Sequence, residues 1–251
     1  MSNHLQTDRT EGVFETLLIV DGLPIELEPH LDRLRASVQE LFGSELPADT
    51  RELVLERAAS LALSRLRLTV APGPDDVLRR DIATAIVDRA TLFPAWERAI
   101  VLRPFVVPGG LGAHKWADRA ALARMESSVA EGCLPLLLDA GGEVLEASRA
   151  NVFAVEGEVL ITPPADGRVL PGVARARAID AAGSLGIGVR EEVLTVDRLL
   201  AAGEAFLTGS VRGVEPVRCV DDAEFEPPGD AVGAIAAAMK RNWVGKRAAR
   251  S

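Results

Sequence analysis

Several residue types that carry chemistry are scarce in this chain or absent from it. Its 251 residues contain three His, two Cys and no Tyr. The His residues and the isolated Cys133 and Cys219 do not have the spacing of a zinc site or a disulfide framework, so we expect neither. No G-x-S-x-G, P-loop or zinc motif is present. This absence argues against serine hydrolases, nucleotide-dependent enzymes and metallohydrolases.

Long apolar runs and an excess of positive charge are also missing. No run approaches the roughly 20 apolar residues that span a bilayer, and the polar start MSNHLQTDRTEG does not resemble a signal peptide. The formal net charge of −9 at pH 7 argues against a nucleic-acid partner. Together with the two isolated cysteines, these features predict a cytoplasmic protein in a reducing environment.

Lysine is rare as well, and the position of one lysine is informative. The chain has 25 Arg but three Lys, of which Lys240 and Lys246 lie in the basic tail. Lys115 is the only lysine before residue 240, and it follows the turn GGLG. Arginine stays protonated in a protein, whereas a desolvated lysine can lose its proton and attack a carbonyl. Two interpretations stay open at this point: amine chemistry at Lys115, and drift in an arginine-rich composition.

The first part of the chain, residues 1–106, is predicted to be a small α+β domain. VFETLLIV and LPIEL are predicted strands joined by an Asp21-Gly22 turn. A helix over 28–42 follows, with apolar residues at helical spacing and Gly43 at its end, and a second helix is expected over about 49–63. SRLRLTVA, DIATAIVD and RAIVLRPFVV are predicted to be further strands of this domain.

The second part, residues 115–251, is predicted to be a larger α+β domain. VPGGLGA, with three glycines and a proline, indicates a linker over 107–114. A helix is expected over about 117–131, followed by short strands with Gly turns, a helix in LPGVARARAIDAAGSLG and further strands. Lys115 just past the junction predicts a small-molecule site between the domains.

Five separated stretches resemble those of the class IV aminotransferases, the fold-type-IV enzymes that use pyridoxal 5'-phosphate (PLP). In chain order they are VFETLLIVDG, HLDRLRAS, HKWADR, LDAGGEVLEASRANVF with LPGVARARAI, and AFLTGSVRGVEPV. The resemblance covers about residues 12–217. It implies a two-domain α+β fold like that of the D-amino acid aminotransferases, with PLP bound between the domains, and a homodimer.

The resemblance also implies roles for single residues. Lys115 would bind PLP covalently and move the substrate proton, and Glu146 would keep the pyridine nitrogen protonated. Arg33 would hold the phosphate as a planar cation, while the amides of Val173 and Ala174 would bind it at a helix N-terminus. The other cofactor residues would be Ser148, Asn151, Thr208, Gly209 and Ser210.

Differences from other family members favour one reaction. HKWADR resembles the lysine stretch of 4-amino-4-deoxychorismate lyases. Ala120 stands where branched-chain transaminases have Tyr, and Ala174 where many transaminases have Thr. These features predict a lyase of folate biosynthesis that gives 4-aminobenzoate and pyruvate. A transaminase of D-amino acids or amines, and a PLP-binding protein without catalysis, stay open as alternatives.

Substrate contacts are predicted at three further residues. The lyase substrate carries two carboxylates, so Arg103 and Arg212 are candidate partners for them. Trp116, next to Lys115, is a candidate wall for the substrate ring.

Overall fold

The structure, a computed structural model, describes residues 7–74 and 77–245. The chain up to Gln6, which includes His4, and the tail with Lys246 lie outside these residues. The described chain divides into two compact units. We call residues 7–91 with 114–119 the small unit, and residues 92–113 with 120–245 the large unit.

The small unit is built on a four-stranded antiparallel sheet with two helices. Its strands are β1 (Val13–Val20), β2 (Leu23–Pro24), β3 (Leu63–Pro72) and β4 (Leu78–Ile86), and its helices are α1 (Leu27–Phe42) and α2 (Thr50–Ala58). The sheet order is β2-β1-β3-β4. Strands β1 and β3 are therefore the inner strands, paired along their length.

Local signals explain the first hairpin and the first helix, and both predictions are confirmed. Asp21 and Gly22 have φ values of 47° and 80°, which suit a two-residue turn between β1 and β2. Helix α1 ends at Gly43, whose φ of 63° closes the last turn. The predicted second helix over 49–63 ends earlier, at Ala58, because Leu63 already pairs with Val20 at the start of β3.

The large unit is built on a ten-stranded mixed sheet. Its strands are β5 (Ile100–Val106), β6 (Cys133–Leu138), β7 (Glu143–Ala147), β8 (Asn151–Glu156), β9 (Val159–Thr162), β10 (Gly188–Glu191), β11 (Leu194–Thr195), β12 (Glu204–Gly209), β13 (Gly213–Val220) and β14 (Ala223–Glu224). Its helices are α3 (Ala120–Ser128), α4 (Val173–Ser184), α5 (Val196–Ala201) and α6 (Asp230–Lys240), and a π-helical turn (Arg241–Gly245) follows α6. The strand order is β10-β9-β8-β12-β13-β5-β6-β7-β11, with β14 on β13.

The core of the large unit comes from buried strand residues. Phe153 on β8 and Phe206 on β12 are opposite each other and stack with ring centroids 4.8 Å apart. Helix α6, which we did not predict, buries Val232, Ile235 and Met239 at helical spacing. Among the described residues, no helix has the length and apolar composition to span a membrane.

The observed units differ from the predicted domain bounds at two places. Strand β5 belongs to the large unit because it pairs in parallel with β6 and β13, whereas we expected it before the boundary at 106. Residues 114–119 belong to the small unit, whereas we expected the larger domain to begin at Lys115. Backbone hydrogen bonds explain this second difference, since Phe14 N donates to Lys115 O and Ala117 N donates to Gly12 O.

Candidate active site

Lys115 is fixed through its backbone to the first strand of the small unit. Phe14 N donates to Lys115 O at 2.8 Å, Ala117 N donates to Gly12 O at 2.9 Å, and Val13 forms an antiparallel bridge with Trp116. Residues 115–117 thus pair with the start of β1 through one isolated bridge and two backbone hydrogen bonds. A lysine held in this way keeps a defined position although it lies outside the regular elements.

The side chains on either side of Lys115 are packed within the small unit. The imidazole Nδ1 of His114 lies 3.0 Å from Ser37 Oγ on α1, and the rings of His114 and Trp116 meet edge to face at 5.6 Å. Trp116 also packs against the apolar core beneath α1. Its predicted role as a wall for the substrate stays a prediction.

Lys115 and a second cation, Arg67, both lie over the ring of Phe14. The Nζ of Lys115 is 4.9 Å from the centroid of the Phe14 ring, and the guanidinium carbon of Arg67 is 3.8 Å from it. Arg67 donates a long hydrogen bond of 3.5 Å to Ala117 O and has no carboxylate partner among the described residues. Burial is the main cause that lowers the pKa of Arg67, and the charge of Arg65 lowers it further.

Arg67 was not among the residues predicted from the sequence, although the alternation of β3 marks its position. Along β3, Leu66, Leu68 and Val70 are fully buried, so the intervening residues lie on the opposite face of the strand. Arg67 is directly opposite Thr16 on β1, and β1 is also the strand that holds Lys115 through its backbone. The spacing would have placed Arg67 on that face, but only the pairing of β1 with β3 brings it beside the lysine.

Arg33 is part of a buried cluster with Glu15 and His30. Its Nε lies 2.7 Å from Glu15 Oε1 and its Nη2 lies 2.7 Å from Glu15 Oε2, while His30 Nδ1 lies 2.7 Å from the same Oε2. The side-chain exposure is 11% for Arg33, 2% for Glu15 and 1% for His30. Neither Glu15 nor His30 was among the residues predicted from the sequence.

The charge state of Glu15 follows from this cluster. Burial is the largest single influence on the pKa of Glu15 and raises it. The charge of Arg33 and the hydrogen bonds from His30 and Arg33 outweigh burial and lower this pKa to about 2. Glu15 is therefore a carboxylate at neutral pH. Because a carboxylate only accepts hydrogen bonds, the Nδ1 of His30 carries the proton between them.

In the large unit, the predicted cofactor residues Glu146, Ser148 and Asn151 are buried in β7, in β8 and in the turn that joins these two consecutive strands. Glu146 Oε1 accepts from Leu170 N at 3.4 Å, and Asn151 Nδ2 donates to Leu170 O at 2.9 Å. Ser148 Oγ donates to Glu126 Oε1 at 2.6 Å. The segment before α4 is thus held by Glu146 and Asn151, which are both predicted cofactor residues.

The start of α4 and the end of β12 provide donors for an anion. The N-cap of α4 is Gly172, which has no side chain to cap the first amides, and Val173 and Ala174 are buried in the first turn. A Cβ placed on Gly172 would lie 2.0 Å from Asn151 Oδ1, so a side chain at this position would displace the Asn151 amide. Asn151 in turn pairs across the strands with Thr208.

Thr208 supplies an unsatisfied hydroxyl at this place. Its Oγ1 is buried and has no hydrogen-bond partner in the described part of the chain. A buried hydroxyl without a partner is unfavourable, so a ligand acceptor at this position is expected. Together with the amides of α4, whose N-terminus favours negative charge, Thr208 fits the phosphate group of PLP. The predicted Gly209 and Ser210 follow directly.

The two arginines predicted for the substrate are paired with carboxylates of the large unit. Arg103 Nη1 lies 3.3 Å from Asp221 Oδ1, and Arg212 Nη2 forms an ion pair with the buried Glu215. Burial raises the pKa of Glu215, while the charges of Arg212 and Arg149 oppose this rise. The substrate roles of Arg103 and Arg212 stay predictions.

The predicted linker is a hydrogen-bonded loop of the large unit up to residue 113. Gly109 N donates to Asp139 Oδ1 at 2.9 Å, and Gly112 N donates to Arg168 O at 3.4 Å. Gly110 has a φ of 68°, and a Cβ on it would lie 2.2 Å from Arg168 O. Arg168 itself binds Asp139, Glu143 and Asp166. The loop before residue 114 is thus fixed at its glycines.

Residues 7–74 and 77–245 contain no group of three or more His, Cys, Asp or Glu side chains that could hold a metal ion.

Comparison with known proteins agrees with the arrangement of strands and helices. The sequence model described as amino-transferase class IV matches residues 12–220. A probable branched-chain-amino-acid aminotransferase of Thermotoga maritima is 39% identical over 248 residues, which cover 93% of this chain and 89% of the relative.

Solved structures show the same fold at lower identity. A putative 4-amino-4-deoxychorismate lyase of Legionella pneumophila superposes with a TM-score of 0.84 at 20% identity, over 96% of this chain and 98% of the other. A hypothetical aminotransferase of Mycobacterium tuberculosis in a PLP-bound form gives a TM-score of 0.81 at 22% identity, over 98% and 93%. The fold is therefore the mixed α/β fold of the fold-type-IV PLP enzymes.

Proposed function

Because this chain belongs to the class IV aminotransferase family and is therefore a PLP-dependent enzyme, we propose that it is a 4-amino-4-deoxychorismate lyase of folate biosynthesis. The observation that carries the proposal is the environment of Lys115. Ala120, five residues later, is an exposed methyl side chain at the start of α3, and the sequence contains no Tyr. The phenol that branched-chain transaminases place at this position has no counterpart here.

The division of chemical work would follow from the residue types. When bound, PLP supplies a sink for the electrons left behind when a proton leaves the substrate carbon. Lys115 would remove that proton and supply one in return, since its amine is the only lysine amine near this stretch of the sequence. Glu146, buried on β7, would hold the pyridine nitrogen in its protonated state.

The phosphate of PLP would be held by donors of three kinds. Arg33 would contribute a planar cation, Val173 and Ala174 the backbone amides of the first turn of α4, and Thr208 its buried hydroxyl. Gly209 and Ser210 would add contacts at the end of β12. Ser148 and Asn151 would support the wall around the ring.

Arg67 supports an anionic substrate. Its guanidinium and the Nζ of Lys115 both lie over the ring of Phe14. A substrate bound through its amine at Lys115 would therefore have the Arg67 cation nearby. The guanidinium is partly buried without a carboxylate partner among the described residues. A substrate carboxylate would offset this unfavourable state. We therefore propose that Arg67 binds one of the two carboxylates of aminodeoxychorismate.

The decisive experiment follows the products of the reaction. With aminodeoxychorismate as the only substrate, the enzyme should release 4-aminobenzoate and pyruvate in equal amounts without an added 2-oxo acid. Borohydride reduction and peptide mapping should locate the cofactor on Lys115 and not on Lys240. Absence of 4-aminobenzoate, with the cofactor correctly attached, would reject the lyase while retaining the PLP site.

The role of Arg67 has its own test and a matched control. Arg67→Met should raise the KM for aminodeoxychorismate about tenfold or more, because a charge-assisted hydrogen bond contributes about 1.5–3 kcal/mol, while PLP affinity stays the same. Arg65→Met, two residues earlier on the same face of β3 but exposed, should leave KM almost unchanged. Equal effects of the two substitutions would show that Arg67 acts only through general charge.

Transamination is the second candidate, and one observation favours it. The Thermotoga maritima relative at 39% identity is described as a probable branched-chain-amino-acid aminotransferase. A transaminase would pass the amino group of a donor, such as a D-amino acid or an amine, to a 2-oxo acid. Rapid formation of a new amino acid from such a pair, without release of 4-aminobenzoate from aminodeoxychorismate, would replace the lyase by this candidate.

We further propose a homodimer that works in the cytoplasm, as the family resemblance and the composition predict. The measurement is the mass in solution by light scattering, at the protein concentration used for the activity assay. A monomeric mass with full activity would contradict the dimer.

A further inference from the structure

A buried carboxylate occupies the apolar face of β1. Val13, Glu15, Leu17 and Ile19 alternate along this strand, and the three apolar members belong to the core packed beneath α1. Glu15 is 1% exposed between them. A residue of apolar character would continue the pattern, so the acid at this position requires an explanation.

Stability alone does not explain the acid. Removing two charges from water costs several kcal/mol per ion, and well-packed apolar residues often replace a buried ion pair without loss of stability. The pair of Glu15 and Arg33 does constrain the orientation of the Arg33 guanidinium. Both oxygens of Glu15 accept from one edge of the Arg33 guanidinium, through Nε and Nη2 at 2.7 Å each. Because the guanidinium is planar, this two-point contact fixes its plane as well as its position.

His30 completes the arrangement one helical turn before Arg33. Its Nδ1 donates to Glu15 Oε2 at 2.7 Å, so this oxygen receives two donors. The carboxylate cannot rotate without breaking one of these bonds. His30 and Arg33 lie three residues apart on α1, on the side that faces β1. The chain of contacts therefore runs from His30 through Glu15 to Arg33.

We propose that Glu15 and His30 are positioning residues, which fix the Arg33 guanidinium in the orientation that binds the phosphate of PLP. This inference rests on the proposed role of Arg33. Residues that orient a ligand-binding group in this way commonly change affinity about 10–100-fold when they are replaced, as known for metal sites. Positioning and simple charge predict opposite effects. Removal of the Glu15 anion leaves more positive charge for the phosphate, but it also releases the guanidinium.

The test compares PLP with pyridoxal, which lacks the phosphate, by absorbance titration of the full-length apoprotein. Glu15→Gln should weaken PLP binding about tenfold and change pyridoxal binding less than twofold, and His30→Gln should give a smaller loss in the same direction. Glu28→Gln is the matched control. This substitution also removes one negative charge, at Glu28 on α1, which pairs at the surface with Arg51. It should change neither the PLP affinity nor the pyridoxal affinity.

Each other outcome has a definite meaning. Unchanged or tighter PLP binding by Glu15→Gln would overturn the positioning role. An equal loss for PLP and pyridoxal would overturn it too, because the cluster would then support only the fold. If the unaltered protein binds PLP and pyridoxal equally well, or if Arg33→Lys leaves PLP affinity unchanged, the phosphate role of Arg33 in the proposed function fails instead.

Discussion

The buried cluster of Glu15, His30 and Arg33 makes a quantitative prediction about stability at low pH. The folded protein lowers the pKa of Glu15 from its ordinary value of 4.5 to about 2. A carboxyl with a lowered pKa in the folded state stabilises the fold above its unfolded pKa. This contribution disappears as the pH falls through the folded pKa.

The size of the effect follows from the shift. At neutral pH the shift makes the ionised form of Glu15 contribute about 3 kcal/mol more to the unfolding free energy than its protonated form, because each pKa unit is worth about 1.4 kcal/mol. Between pH 7 and pH 3 about 2 kcal/mol of this contribution is lost. Glu15→Gln does not titrate, so the variant lacks this loss. The difference in unfolding free energy between the unaltered protein and Glu15→Gln should therefore shrink by about 2 kcal/mol over this range.

The assay is urea unfolding at a series of pH values, followed by the fluorescence of Trp116. Trp116 packs against the core that contains Glu15, and replacing Trp96 and Trp243 by Phe in both proteins makes it the only reporter. Carboxyls remote from the cluster titrate alike in both proteins, so their effects cancel in the difference. Repeating the comparison with His30→Gln in both proteins removes the contribution of the imidazole bonded to Glu15. A difference that stays constant from pH 7 to pH 3 would refute the reasoning, since Glu15 would then have its ordinary pKa in the folded state.

Two further substitutions test the large unit. Gly110→Ala should destabilise the protein by about 1–3 kcal/mol, because the new Cβ meets Arg168 O at a positive φ. The control Gly141→Ala has open space at its Cβ and should cost about 0.5 kcal/mol or less. Equal midpoints of urea unfolding for the two variants would contradict this prediction. Thr208→Val should leave apoprotein stability unchanged or raised yet weaken PLP binding about tenfold, because its hydroxyl has no partner in the described chain. Thr162→Val should instead destabilise the apoprotein by about 1 kcal/mol, since Thr162 Oγ1 donates to Val152 O, and unchanged PLP affinity of Thr208→Val would contradict the assignment.

The parts of the fold that depend on neighbours in sequence could be predicted. The turn at Asp21-Gly22 and the end of α1 at Gly43 need positive φ values, which mark such positions in the sequence. The membership of β5 could not be predicted in the same way. Its partners Cys133–Leu138 and Gly213–Val220 are remote in sequence, and parallel pairing leaves no turn signal between the strands. Helix α6 escaped notice because its Ala-rich sequence has few large apolar residues to show the period.

The residues of the candidate site also fall into two groups, those predictable from local sequence and those that depend on contacts between remote strands. Lys115, Glu146 and the other cofactor residues lie in stretches that resemble a family in a fixed order, so each could be named from the sequence. Glu15 lies in the first of these stretches and Arg67 lies outside all of them, on β3. No local pattern gives either residue a role. Their significance comes from cross-strand neighbours, namely from the pairing of β1 with β3 and from the packing of α1 on β1.

The two guanidiniums beside β1 differ in what determines their orientation, and this difference separates two kinds of recognition. Arg33 is held on one edge by Glu15, so its orientation is already set by the protein before any ligand arrives. Arg67 is held by stacking on Phe14 and by one long hydrogen bond, so its guanidinium can bind an anion from more than one direction. The rigid arginine suits a group of constant shape, such as a phosphate, and the less constrained one suits a carboxylate whose position varies with the substrate. Substitutions around Arg67 should therefore alter substrate preference without altering cofactor affinity, whereas substitutions around Arg33 should do the reverse.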